Sequence, residues 1–417
     1  MSAKYQTFLP GRYLDWEKPI VEARFEQAEK FNSDPSKQPE PRPFLMTEDA
    51  IVKENGKWNP YDPLYNDPAY AKSVGLPGVP AYVGTARGGM SPGVAGIPKD
   101  LADGFYYAND GSDFHYYVPV YPGDTLYRRT TRMEFKDQTI PGDTHRRFYL
   151  GTASECYNQR GEKVFDCYTN LRQCYQKIID GSTPPTFSET QDSWIPDFPE
   201  PYYNTDEDWE RFCDLWRNEK IRGSEPLYWE DVNVGDEPTP TCTAPVNYMD
   251  MGWWHGCNVP DWRDMYLNRP AMLREQYIDR YGNYFFNTAV HYGTKNVPGA
   301  RMLFYNGTAA NHMMRTLTNY IGDHGFITRF DWKFHQFFEC MRIQAGGEFL
   351  DRVPYMKGRC VERHGADGDA IIARAYVTDK YIDELGRHII DVTLWGETAE
   401  GTIIQVVGAS AQLPSRG

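Results

Sequence analysis

FYNGTAANHMMRTLTNYIGDHGF, residues 304–326, decides the fold of this chain. Ala309, Met313, Leu317 and Tyr320 recur at spacings of three and four, the period of a helix with one apolar stripe. The stretch predicts a helix from about Thr308 to Tyr320, stopped at Ile321-Gly322-Asp323. Its opening, Tyr305-Asn306-Gly307-Thr308-Ala309, has a near copy at Tyr82-Val83-Gly84-Thr85-Ala86.

The surroundings of the two copies also match. After Gly84 come a turn at Pro122-Gly123-Asp124 between strand-like runs and a long hairpin turning at Asn158-Gln159-Arg160-Gly161. After Gly307 come more strand-like runs and a hairpin turning at Asp383-Glu384-Leu385-Gly386. Gly84 precedes Gly161 by 77 residues, and Gly307 precedes Gly386 by 79. A Phe-His pair falls inside each interval, at Phe114-His115 and Phe334-His335. Such an ordered set indicates one unit present twice, each a helix followed by antiparallel strands. That is an α+β class with the helix laid across one face of a curved sheet.

The expected organisation is an N-terminal extension (1–44), a first unit (45–180), a proline-rich linker with a short helix near Asp206 to Asn218 (181–225), and a second unit (226–417). Residues 258–287 read as an insertion in the second unit, a substrate lid or a subunit contact. At 417 residues the chain is too long for one ordinary core. With 44 basic and 58 acidic residues it carries a net charge of −14, which argues against nucleic acid and requires a local basic patch for any anionic ligand. No apolar run is long enough to span a membrane and the N-terminus lacks a signal core, so a cytoplasmic protein is expected. The eight cysteines form no Cys-x-x-Cys pair and read as reduced thiols, with no metal site. Phosphate-loop, dinucleotide, Gly-x-Ser-x-Gly and His-Glu-x-x-His motifs are absent.

Several stretches carry a family resemblance: NPYDPLYNDPAYAKSVGLPGVPAYVGTA before the first helix, PVYPGDTL at 119–126, YWEDVNVGD at 228–236, and LTNYIGDHGF at the end of the second helix. Together they resemble the MaoC-like hydratase and dehydratase family in its two-copy, double hotdog form. The resemblance implies a lyase that adds water to an α,β-unsaturated acyl-CoA thioester or removes it from a hydroxyacyl-CoA. It implies no cofactor beyond the coenzyme A of the substrate. A thioester hydrolase on the same fold and a non-catalytic acyl-binding subunit are the rival readings. A monomer or a homodimer fits, since two copies already form a pseudo-dimer.

The family's base is a histidine five residues after an aspartate, in a pattern like Asp-x-Asn-Pro-x-His. In the first unit Tyr65 stands at the histidine position and Pro60 at the aspartate position, which implies a catalytically degenerate half that lines an acyl pocket or braces the other. In the second unit Asp250 and His255 have the spacing, with a Trp pair in place of Asn-Pro. His291, just before the helix, has the right chain position but Phe286 where the aspartate belongs. Asp250, His255, His291 and Gly307 are therefore the catalytic candidates. A glycine at a helix mouth exposes backbone N–H groups to a thioester oxygen that gains negative charge, although it also simply eases the turn. Gly84, Arg87, Arg301, Arg128 and Arg129 are the substrate-binding candidates, the arginines for phosphate or carboxylate. His312 is expected to pack against the sheet, and His115 and His335 to be structural.

Overall fold

The computed structural model describes residues 13, 15, 18–34, 40–83, 105–137, 146–175, 204–246, 276–278, 284–286, 308–333, 345–363, 365 and 368–417. Its centre is one antiparallel sheet of ten strands. In chain order these are β1 (Phe44–Leu45), β2 (Phe105–Tyr116), β3 (Thr125–Asp137), β4 (Arg146–Asn158), β5 (Lys163–Tyr175), β6 (Thr241–Thr243), β9 (Phe326–Lys333), β10 (Ile371–Ile382), β11 (His388–Glu397) and β12 (Ile403–Gln412). Two further strands, β7 (Gln276–Ile278) and β8 (Tyr284–Phe286), pair with each other. The helices are α1 (Lys18–Ser33), α2 (Glu48–Trp58), α3 (Pro63–Asn66), α4 (Pro68–Ser73), α5 (Asp206–Asn218), α6 (Thr308–Ile321) and α7 (Gly347–Leu350).

The sheet reads β1-β3-β4-β5-β2 and then β9-β12-β11-β10-β6. Exchange β1 for β6, β2 for β9, β3 for β10, β4 for β11 and β5 for β12, and the first half becomes the second in reverse. The duplication is thus written into the topology, with β2 and β9 paired at the centre and Phe114 opposite Phe330. Both phenylalanines face inward with Tyr116, Phe165 and Trp332, whereas Asp113 and Arg329 lie on the outer face and bond at 2.8 and 2.9 Å.

The topology corrects one detail of the sequence match. Gly161 lies in the turn from β4 to β5, whose counterpart joins β11 to β12 at Gly401, not β10 to β11 at Gly386. All three turns are built alike. Their glycines sit at φ +77, +83 and +75, and in each the glycine N–H bonds to the carbonyl three residues back. The near-equal spacings of 77 and 79 therefore linked turns that are not equivalent. The second half carries α7 and a long connection between β9 and β10 that offsets the count.

The α6 helix forms where its periodicity placed it. Ala310, Met313, Met314 and Leu317 are fully buried against the sheet. Residues 84–104, where the matching helix of the first half is expected, lie outside the described residues. The predicted linker helix appears as α5, started by a capping box in which Thr205 and Asp208 satisfy each other's backbone N–H. Its Phe212 is buried beside Cys242, Ile372 and Ala399. The N-terminal extension is docked, with Phe25 edge-on to Phe135 at 5.1 Å. The Asn32 amide also bonds the N–H and C=O of Met133, as a neighbouring strand would. None of the described cysteines is disulfide-bonded. No described helix is long and apolar enough to cross a membrane.

Candidate functional site

The segment preceding the first Gly-Thr-Ala belongs to the first half in sequence but is clasped to α6 of the second. Asn55, fully buried in α2, ties its own segment together. Its amide donates to the carbonyls of Tyr65 and Pro80 and accepts from the N–H of Tyr82. Asn59 then donates to Thr318 Oγ1 at 3.2 Å, and Tyr82 Oη donates to the Asn311 carbonyl at 3.1 Å. Both acceptors are on α6. The two halves therefore share this region through buried polar contacts that a sliding apolar interface would not fix.

Between α2, α5, β6 and α6 lies a cleft of about 670 Å³. Lys53, Lys57, Trp58 and Tyr61 line one side, Trp216 and Cys242 another, and His312 and Arg315 the third. His312 is 5% exposed and Trp58 2% exposed. The two rings meet edge to face, centroids 5.1 Å apart. Neither nitrogen of His312, nor Trp58 Nε1, has a hydrogen-bond partner among the described residues. Burial, reinforced by the charge of Arg315, pushes the His312 imidazole down to about 3. It is neutral at physiological pH and presents one donor and one acceptor.

The charges around the cleft are braced from behind. Arg315 Nε pairs with Glu219 at 3.0 Å, and Nη2 donates to the Cys242 carbonyl at 2.7 Å. Glu219 also accepts from Asn319 at 2.9 Å. Lys57 pairs with Glu54 one turn earlier on α2. Burial pushes the Cys242 thiol up to about 12, so it stays protonated and is no nucleophile. No group of described residues is arranged to hold a metal ion.

The sequence candidates fall unevenly on this picture. Asp250, His255, His291, Gly307, Gly84, Arg87 and Arg301 all lie outside the described residues, as does His335. Arg128 and Arg129 are adjacent on β3 and point to opposite faces, so they do not form one patch. Arg128 turns inward, bonding Ser154 Oγ at 3.0 Å and lying 3.0 Å from Cys167 Sγ. Arg129 turns outward and pairs with Glu40. His115 is half-exposed beside Asp113, which raises its pKa. His312 is buried as expected, but against Trp58 of the other half rather than the sheet alone. Asp62, beside the degenerate motif, caps α3 through the Leu64 N–H, and burial lifts its carboxyl to about 6. Sequence reading passed over Trp58, Lys57 and Arg315, whose only signal was proximity to motif residues.

No family model and no curated protein matches the sequence. Solved structures do match. A MaoC-like dehydratase shares 17% identity, with 89% of this chain and 96% of that one covered and a TM-score of 0.50. A conserved hypothetical protein of Mycobacterium tuberculosis that has a double hotdog fold matches at 12% identity, 91% and 97% coverage and a TM-score of 0.45. A MaoC-like dehydratase from Phytophthora capsici matches at 10% identity, 91% and 97% coverage and a TM-score of 0.42. At these identities the likeness is one of fold. The chain has the α+β double hotdog architecture of MaoC-like dehydratases.

Proposed function

We propose that the protein hydrates an α,β-unsaturated acyl-CoA thioester, or dehydrates the corresponding hydroxyacyl-CoA. The observation that carries the reading is the mouth of α6. The first turn of this central helix contains no acidic residue of its own, so nothing in that turn offsets its positive end. Farther along the helix, at His312 and Arg315, lies a cleft that no described carboxylate lines. A thioester oxygen that gains charge as water adds needs such an end.

In hydration, water oxygen bonds the β-carbon while the π electrons move onto the thioester oxygen. The enolate then collapses as the α-carbon takes a proton. His255 or His291, assisted by Asp250, deprotonates the water, and the Gly307 N–H receives the enolate oxygen. His312 is not a base in this scheme, because an imidazole that titrates near 3 holds a proton too weakly. It serves as a neutral hydrogen-bonding group.

The test is a panel of enoyl-CoAs followed for both loss of conjugated-thioester absorbance and release of thiol. Absorbance loss without thiol is the expected result. Thiol release identifies a hydrolase instead. Binding without either change identifies an acyl-binding subunit. Full activity in both His255→Ala and His291→Ala would remove those residues from the mechanism.

A further inference from the structure

The cleft at His312 and Arg315 has its charges already paired. Lys57 pairs with Glu54, and Arg315 with Glu219 and the Cys242 carbonyl. Lys53 has a partner of its own as well. What the cleft leaves unsatisfied is uncharged. Trp58 and His312 line it at 2% and 5% exposure, yet Trp58 Nε1 and both nitrogens of His312 find no hydrogen-bond partner among the described residues. His312 is neutral at physiological pH, so the two rings offer two N–H donors and one bare nitrogen. A buried polar group without a partner costs free energy, which a ligand with matching groups returns.

Another wall adds an acceptor. Asn66 Nδ2 donates to the carbonyls of Asn59 and Asp62 at 2.6 and 2.8 Å. Carbonyls only accept, so these bonds fix which way the amide faces. Its Oδ1 then stands over Gly56, 3.3 Å from where a Cβ would be, and both residues line the cleft. Gly56 lies inside α2 without a left-handed backbone, where alanine would make the better helix. What the glycine supplies is room beside that oxygen. Trp216 donates its Nε1 to the Cys242 carbonyl at 2.9 Å and offers the cleft its ring. Aromatic walls favour a flat ligand. An anion would meet cations already paired, and a cation would meet no carboxylate among the described lining residues. We propose that the cleft binds a planar, uncharged amide. Its ring lies against Trp58 and Trp216, its carbonyl takes an N–H of Trp58 or His312, and its own N–H meets Asn66 Oδ1 or the bare nitrogen of His312. The site stands apart from the thioester reading, and its readout is binding, not turnover.

The test uses four probes of nearly one shape on the full chain. Saturation-transfer NMR titrations compare benzamide with benzoate, benzamidine and acetophenone, which change its charge to negative, change it to positive, or remove its N–H groups. The expected result is that benzamide binds about tenfold more tightly than each of the others, the scale of one hydrogen bond lost or one charge left unmatched. His312→Phe removes both ring nitrogens and keeps a flat ring, and Gly56→Leu fills the room beside Asn66 with a good helix former. Each should weaken benzamide binding by about tenfold, with circular dichroism checking that the variant is folded. Benzoate binding as tightly as benzamide to the wild-type protein would show that charge decides, and would overturn the proposal. So would an absence of benzamide binding, which would leave water as the partner of these groups. Unchanged benzamide binding in both folded variants would place the ligand elsewhere. Displacement of benzamide by pantetheine, an uncharged but flexible diamide, would assign the cleft to the arm of coenzyme A and overturn the proposal while supporting the thioester reading.

Discussion

His312 on α6 meets Trp58 on α2 edge to face, ring centroids 5.1 Å apart, across the junction of the two halves. The burial of His312, with the Arg315 charge nearby, makes stability depend on pH. The folded imidazole titrates near 3, below the ordinary histidine value of 6.5, so the unfolded chain takes up the proton first. The contribution is complete above about pH 6.5 and is lost as pH falls toward 3. Urea unfolding should show wild-type stability falling more steeply than that of His312→Gln between pH 6.5 and 4, by up to about 1.4 kcal/mol per pH unit. Parallel pH profiles would show that His312 is not held neutral.

Asp62 should act in the opposite direction. Its folded carboxyl is raised from 3.8 to about 6 by burial, with the Asp323 charge adding to it. The native state therefore takes up the proton first, and the destabilisation builds as pH rises from about 3.8 and is complete above about 6. Asn also accepts at a helix N-cap, so Asp62→Asn keeps the bond from the Leu64 N–H while removing the charge. The variant should be more stable than wild type at pH 8 by about 1–3 kcal/mol. The gain should vanish near pH 4. A loss of stability at pH 8 would mean that the Asp62 charge has a partner worth more than its burial costs.

How far these features were legible in the sequence depends on how local their causes are. The span of α6 was readable because Ala309, Met313 and Leu317 recur at the helical period. The turns at Gly161 and Gly386 were readable because each needs a left-handed residue. Which turn matched which was not, because Asn158-to-Gly161, Asp383-to-Gly386 and Thr398-to-Gly401 share one local chemistry and differ only in strand order. The cleft was harder still. Trp58 and His312 are separated by more than half the chain, and only the crossing of α2 onto α6 brings them together. The residues with the clearest motif reading, Asp250, His255 and His291, lie outside the described residues, so the cleft was reached from the fold.

The ion pair of Arg315 with Glu219 is buried on both sides, at 4% and 9% side-chain exposure. Removing one member leaves the other charged and poorly solvated. Glu219→Gln should cost about 3–5 kcal/mol, measured by chemical denaturation. Glu219→Gln/Arg315→Met should cost less than the sum of the two single changes, since no orphaned charge remains. Additivity would show that water or another group already compensates each charge.

Gly307 offers the cleanest test of the chemistry proposed at the helix mouth. It immediately precedes Thr308, the first residue of α6. Proline is well tolerated where a helix begins, because the first N–H groups have no partner within the helix. Gly307→Pro removes the backbone donor proposed for the enolate oxygen, and thermal unfolding checks that the helix start is retained. Loss of one such donor lowers kcat by about 10²–10³-fold where it acts on developing charge. The expected result is that loss in enoyl-CoA hydration, with affinity for an unreactive thioether little changed and thermal unfolding close to wild type. Gly307→Ala separates the donor from the space, because it keeps the N–H and adds only a methyl group. If Gly307→Ala is as inactive as Gly307→Pro, close approach of the acyl group to the backbone is what glycine supplies, and the enolate oxygen is held elsewhere.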